Sequence, residues 1–240
     1  MSYRIFLAGA SGAIGSRLTP LLRGAGHYVC GSTRSITKAD ALRSLGADPV
    51  VVDVFDAAAL SRAVASARPD VVIHQLTDLP KDLDPREMGA AIIRTARIRS
   101  EGTRNLASAA IAAGARRLVA QSIAWAYAPG AEPHAEMDPL DEGDGGANVQ
   151  GLIVLENLTL KSPPLEGVVL RYGQLYGPGT SSERPSNHAP IHVDAAAYAG
   201  LLAIDHGDPG VYNIAQSNSH VATEKARLEL SWTPDFRLAA

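Results

Sequence analysis

The segment GASGAIG, Gly9 to Gly15, carries the strongest chemical signal in this chain of 240 residues. It follows the apolar run Ile5-Phe6-Leu7-Ala8 and opens a helical pattern, the context in which such glycines read as a phosphate-binding loop. Gly9 permits a tight turn, Gly12 lets backbone approach a pyrophosphate, and Gly15 lets a helix pack closely on a sheet. The first helical turn then offers N–H groups and a positive dipole end to an anion. The spacing is G-x-x-G-x-x-G rather than the G-x-G-x-x-G of simple dehydrogenases.

An adenosine end should follow the second strand. A carboxylate there would bond the ribose 2′-hydroxyl of NAD, whereas an arginine suits the 2′-phosphate of NADP. The chain offers Ser32-Thr33-Arg34-Ser35 and then Lys38, with no acid before Asp40. Cation and hydroxyls together favour NADP(H) over NAD(H). Asp53, in VVVDVFD, is placed to receive an adenine amino group or to cap the helix that follows. Asp56 is the better cap.

The elements that must hold these residues follow from the hydrophobic pattern. Short aliphatic runs alternate with longer helical stretches, the rhythm of βαβ units on a parallel sheet. Strands are expected near Tyr3–Ala8, Tyr28–Ser32, Val50–Asp53, Val71–Gln75, Arg117–Ser122, Val168–Tyr172 and Val211–Ile214. Helices are expected over Ala13–Arg23, Lys38–Leu45, Ala57–Ala67, Pro85–Ala113, Val149–Lys161 and Asp194–Asp205. Residues 128–148 and 178–190 read as long loops, which in a compact domain are usually functional or mobile. The expected fold is α/β: a Rossmann-type doubly wound parallel sheet with a reduced C-terminal substrate lobe. Residues 1–165 form the dinucleotide-binding part, and 166–240 the last strands and a small substrate-side lobe of the same fold.

Composition narrows the function classes. Twenty-two Lys and Arg against 25 Asp and Glu leave a net charge of −3, with no block of like charge to meet nucleic acid or an anionic membrane. Apolar residues make up 46% and charged residues 20%, as in an ordinary globular chain. The lone Cys30 excludes an intramolecular disulfide and a Cys-based zinc site, which points to a reducing cytoplasm. The apolar start of MSYRIFLAGASG stops at glycines within a few residues, too short for a signal peptide or a membrane span.

The chain resembles the short-chain dehydrogenase/reductase superfamily, in particular its extended and atypical NAD-dependent epimerase/dehydratase members. The resemblance rests on segments in family order over most of the chain: GASGAIG, DVFD, VVIHQLT, EGTRNLASAAIAAGARRLVAQS, VVLRYGQLYGPG, PIHVDAAAYAG, GVYNIAQ and KARLELSW. It implies that Gly9, Ser11, Gly12, Ala13, Ile14 and Gly15 lie along the pyrophosphate. It places Asp53 and Val54 at adenine, and Gln75, Leu76, Thr77, Gln121 and Ser122 around the nicotinamide ribose. Tyr172 to Leu175 would lie near the nicotinamide. It also implies a small-molecule substrate and a possible homodimer through the helix over Pro85–Ala113 and the helix carrying Glu156.

The family's chemistry uses a Ser or Thr, a Tyr, and a Lys four residues after that Tyr, whose charge lets the phenol exchange a proton. No tyrosine here has a lysine four residues on. The helix that would carry the pair aligns with NVQGLIVLENLTL, which puts Asn148 or Val149 at the tyrosine position and Leu152 or Ile153 at the lysine position. Ser122 falls approximately at the family serine, or Ile123 if the register slips by one. Tyr127 is the substitute proton donor with His134 or Glu136 as base, or else Tyr127 packs the loop and His134 is a solvated loop residue. His74 reads as a packing residue. Asp138, Asp141, Glu142 and Asp144 read as a solvated acidic stretch, and no metal site is expected.

Only 12 residues separate Gly179 from His192, fewer than in extended family members, and HVDA stands where the family has HVDD. The expectation is an NADP(H)-dependent oxidoreductase or epimerase/dehydratase-type enzyme acting on a sugar nucleotide or a small carbonyl or hydroxyl compound. The alternative is a non-catalytic NADP-binding redox sensor.

Overall fold

Strands rich in Val, Ile and Leu on both faces bury both faces, and the connecting helices supply the cover. The computed structural model describes residues 1–80, 83–143 and 146–239. Its strands are β1 (Arg4–Ala8), β2 (Tyr28–Thr33), β3 (Asp48–Val51), β4 (Val71–His74), β5 (Arg117–Ile123), β6 (Glu166–Tyr172), β7 (Gln174–Tyr176), β8 (Pro190–His192) and β9 (Gly210–Ile214). The helices are α1 (Ala13–Gly24), α2 (Ala39–Ser44), α3 (Ala57–Ala67), α4 (Pro85–Arg97), α5 (Thr103–Ala112), α6 (Gly146–Leu160), α7 (Val193–Leu202) and α8 (Glu224–Glu229).

Seven strands form one sheet in the order β3-β2-β1-β4-β5-β6-β9. Every neighbouring pair in it is parallel. This is the Rossmann-type sheet that the alternation of elements implies, and β6 and β9 belong to it although they come late in the chain. One face packs Ile5, Leu7 and Ile73 against Leu18 and Leu22 of α1 and Ala196 of α7. The other packs Phe6, Val72 and Leu118 against Leu60 and Val64 of α3 and Leu106 of α5. The period-2 alternation along each strand decides which face a residue serves. Near the C-terminal end of β5, α6 adds Val149 and Leu152 against Ile123 and Ala126.

Three elements differ from the sequence reading. The helix expected over Pro85–Ala113 is α4 and α5 joined by a π-helical turn at Ile98–Gly102. The parallel pair β7–β8 and the six-residue helix α8 were not expected. Three-residue strands carry too short a repeat for periodicity to detect. Among the described residues, no helix is long and apolar enough to cross a membrane.

Candidate functional site

From β1 the chain builds β2 and β3 on one side, then crosses to place β4 on the other. Such a reversal opens a crevice at the carboxyl ends of the two central strands. There the Gln75 N–H donates to the Ala8 carbonyl at 2.8 Å, and Gly9 turns with a φ of +86°. A Cβ on Gly9 would stand 2.6 Å from the Gln75 carbonyl oxygen, and one on Gly15 only 2.3 Å from that of Gly9. Gly12, by contrast, would meet only the Gly9 carbonyl, at 3.4 Å, so its side towards the crevice is open. Gly12 caps α1, whose first hydrogen bond runs from the Ser16 N–H to the Gly12 carbonyl at 2.9 Å. The N–H groups of Ala13, Ile14 and Gly15 therefore lack intrahelical acceptors. Ser11 Oγ lies 3.4 Å from Thr33 Oγ1 and ties the loop to the end of β2. The loop is a backbone cradle that fits a dinucleotide pyrophosphate.

Where the adenosine end is expected, at the end of β2, lies a pocket walled by Thr33, Arg34, Val54, Phe55, Leu76 and Ile98, with Ser32 and Thr77 also on its lining. Arg34 is half-exposed on its rim, with Nη1 3.5 Å from Asp78 Oδ2. Arg94 of α4 reaches the same oxygen through Nε at 3.3 Å. Asp53 turns back on itself, Oδ1 accepting the Phe55 N–H at 2.9 Å, so its carboxylate shapes the local turn. The buried Val54 is fixed through its carbonyl, which accepts from Asn105 Nδ2 at 3.0 Å.

The nicotinamide end holds fewer of the expected contacts. Tyr172 is buried to 2% exposure in the core between the sheet and α1 and α7, and Leu175 packs on that core from β7. Gln75 is buried as well, and neither its amide atoms nor the Tyr172 hydroxyl makes a well-formed hydrogen bond. Burial raises the Tyr172 phenol above its ordinary range, offset in part by the neighbouring Gln75 amide. Its ring is thus a core element and not a wall of the cleft. His74 is neutral: burial, then the charge of Arg99, push it down to about 4. Its Nδ1 accepts the Leu76 N–H at 3.2 Å, which leaves Nε2–H to donate to Thr103 Oγ1 at 3.0 Å.

Ser122, expected at the substrate and the ribose, turns the other way. It is fully buried, and its Oγ donates to Glu156 Oε1 at 2.7 Å. Arg171 completes the cluster, with Nε 2.9 Å from Oε1 and Nη2 2.7 Å from Oε2 of the same carboxylate. Burial alone would lower the Arg171 guanidinium, but its bonds to Glu156 outweigh that and raise it. A second buried guanidinium, Arg99 from the π-helical turn, donates through Nη1 to the Asn148 carbonyl at 3.2 Å and to Asn148 Oδ1. Burial pushes it down to about 10, against the pull of Glu156. The sequence reading missed this cluster. Its signal was an arginine inside the aliphatic strand segment VVLRY, since an arginine is almost never fully buried without a partner.

Tyr127, His134 and Glu136 come together around β9. The Tyr127 hydroxyl donates to Asn213 Oδ1 at 2.7 Å, and Glu136 Oε1 accepts the Asn213 N–H at 2.9 Å. The His134 ring stacks on Tyr127 with centroids 4.9 Å apart, and its Nδ1 lies 3.1 Å from Asp138 Oδ2. Burial raises the Tyr127 phenol, Arg171 opposing, so it holds its proton more firmly than a free tyrosine. Asp144 of the acidic stretch lies outside the described residues. Asp194, in HVDA, joins α7 to α1 through Arg17 Nε at 2.6 Å. Beside Tyr127 opens a cavity of about 400 Å³ that reaches His188 and His220.

Known proteins carry the same architecture. A curated reductase from Streptomyces sp, described as 3-diazoavenalumate denitrifying reductase, is 45% identical over 234 residues, covering 94% of this chain and 72% of that protein. UDP-glucose 4-epimerase from Thermotoga maritima, solved with UDP-glucose, superposes with a TM-score of 0.78 at 19% identity, over 99% of this chain and 94% of that one. WbmG from Bordetella bronchiseptica, solved with NAD and UDP, gives 0.76 at 19% identity, over 99% and 91%. Residues 5–209 match the NAD dependent epimerase/dehydratase family, and the chain belongs to it.

Proposed function

We propose that this chain is an NADP(H)-dependent reductase that delivers hydride to a small acceptor without a tyrosine–lysine proton relay. What supports it is an intact glycine cradle in a chain where no tyrosine has a lysine four residues on, the resemblance putting Asn148 or Val149, and Leu152 or Ile153, at the positions of that pair on α6. Arg34, with Ser32 and Thr33 beside it on the adenosine pocket, supports a 2′-phosphate, because guanidinium–phosphate hydrogen bonds are charge-assisted and directional. When bound, the reduced cofactor supplies a hydride, and transfer to a carbon bearing a diazonium group expels that group as N2 with no proton consumed. The 45% identical reductase, named for a diazo compound and for denitrification, supports an acceptor of this kind. An epimerase must instead take a proton from a substrate hydroxyl, and the groups nearest that role are engaged: Ser122 on Glu156, Tyr127 on Asn213.

Under this reading Gly9 to Gly15 hold the pyrophosphate on backbone N–H groups, and Arg34 reads the phosphate. Neutral His74 fixes the Leu76 N–H at the edge of the cleft. The test is consumption of NADPH deuterated at C4 in the presence of an arenediazonium, with enzyme-free controls. Transfer of deuterium to the arene carbon with release of N2 is expected. NADPH consumption without deuterium in the product, or no consumption above the control, would overturn the reading.

A further inference from the structure

The pocket at the end of β2 has a second basic side chain beside its rim, supplied by α4. Ile98, on the pocket lining, closes that helix, and its N–H donates to the Arg94 carbonyl. Residues four apart share a helix face, so Arg94 stands one turn before Ile98 on the side of α4 that meets the pocket. Arg94 Nε lies 3.3 Å from Asp78 Oδ2, the same oxygen that stands 3.5 Å from Arg34 Nη1. Asp78 comes directly after Leu76 and Thr77 of the lining, and its N–H donates to Oγ1 of the buried Thr95 at 3.2 Å. The backbone of Asp78 is thereby tied to α4, beside Arg94.

Two guanidiniums on one carboxylate oxygen leave a positive charge over. Among the described residues, no other carboxylate lies in ion-pair range of either. Arg94 gives Asp78 a single hydrogen bond, through Nε. Both arginine side chains are half-exposed, and ion pairs at that exposure hold weakly. Their remaining donors can therefore turn to a stronger acceptor. A phosphate dianion is such an acceptor, since its bonds from guanidinium are charge-assisted and its oxygens match the planar fork in pairs. Nitrogens this close to one oxygen can both serve one phosphate group. Asp78 then has two effects: it holds the arginines together in the empty site, and it opposes a bound phosphate as a like charge.

We propose that Arg94 is a second reader of the cofactor's 2′-phosphate, facing Arg34 across it, and that Asp78 is the anion this phosphate displaces. The proposal rests on the reading of Arg34 as a phosphate reader, and its test separates the two. Calorimetric titration would compare NADPH with NADH, which differ only in the 2′-phosphate, on the wild type, Arg34→Gln, Arg94→Gln and Asp78→Asn. Arg94→Gln should weaken NADPH about tenfold, roughly 1.4 kcal/mol, and leave NADH within about twofold of the wild type. Asp78→Asn should tighten NADPH about threefold or more and leave NADH within about twofold. Thermal melts of each variant report its fold. Three results overturn this inference alone, provided that Arg34→Gln loses NADPH selectively. They are equal losses for both cofactors in Arg94→Gln, no loss of either there, and NADPH binding that is unchanged or weaker in Asp78→Asn. Selective loss of NADH in Asp78→Asn also overturns it, as the mark of a carboxylate that binds the ribose 2′-hydroxyl. A wild type that binds NADH as tightly as NADPH, or binds neither, overturns the NADP reading itself.

Discussion

Ser122 Oγ donates to Glu156 Oε1 at 2.7 Å, inside a cluster that also holds Arg171. A buried ion pair adds little to stability by its presence, yet removing one partner leaves an uncompensated charge. Ser122→Ala should therefore cost about 1–3 kcal/mol, as expected for one lost bond to a buried carboxylate, and leave kcat unchanged. Glu156→Ala should cost about 3–5 kcal/mol. Urea melts of both variants and the turnover of Ser122→Ala check this. A hundredfold loss of kcat in a Ser122→Ala protein of near-native stability would restore the serine to the reaction.

Gly15 permits no Cβ, since one would stand 2.3 Å from the Gly9 carbonyl. Gly15→Val should push α1 off the crevice, lower stability by roughly 1–3 kcal/mol or more, and abolish dinucleotide binding. Gly24, at the end of the same helix, has nothing within 4 Å of a Cβ, so Gly24→Ala should change stability by no more than about 1 kcal/mol. Thermal melts with and without cofactor compare the pair. Normal cofactor binding by Gly15→Val would remove the cradle argument.

How much of this was legible in the sequence depends on how local each feature is. The glycine loop and the parallel sheet were readable because their signals are turn chemistry and hydrophobic runs within a few residues. The orientation of Ser122 was not, because a shift of one residue in strand register moves a side chain to the opposite face. Glu156 and Arg171 lie on α6 and β6, and only the packing of α6 against the sheet joins them. The π-helical turn that aims Arg99 inward has no composition signal, and the cavity gathers residues from loops nearly a hundred positions apart.

His74 makes stability depend on pH. Its folded value is about 4, against 6.5 for the free side chain, so between these values the unfolded chain binds a proton that the folded chain refuses. Its contribution is full above about pH 6.5 and is lost as the pH falls towards 4, by at most about 3 kcal/mol. Denaturant melts from pH 7 to pH 4 should show this loss, and His74→Gln should flatten it. An NMR titration of the wild type gives the value directly. A His74 imidazole that charges near pH 6.5 would contradict the buried, neutral assignment.

The most direct test of the account titrates NADP+, NADPH, NAD+ and NADH against the wild type and Arg34→Asp. The account predicts that both NADP forms bind the wild type with comparable affinity and more tightly than either NAD form. Arg34→Asp should lose NADP affinity by up to a few kcal/mol while leaving NAD binding nearly intact. NADH binding as tight as NADPH, or equal losses for both cofactors in Arg34→Asp, would contradict the phosphate reader. A preference of about 100-fold for one redox form, roughly 2.7 kcal/mol, would contradict the enzyme and leave a redox sensor.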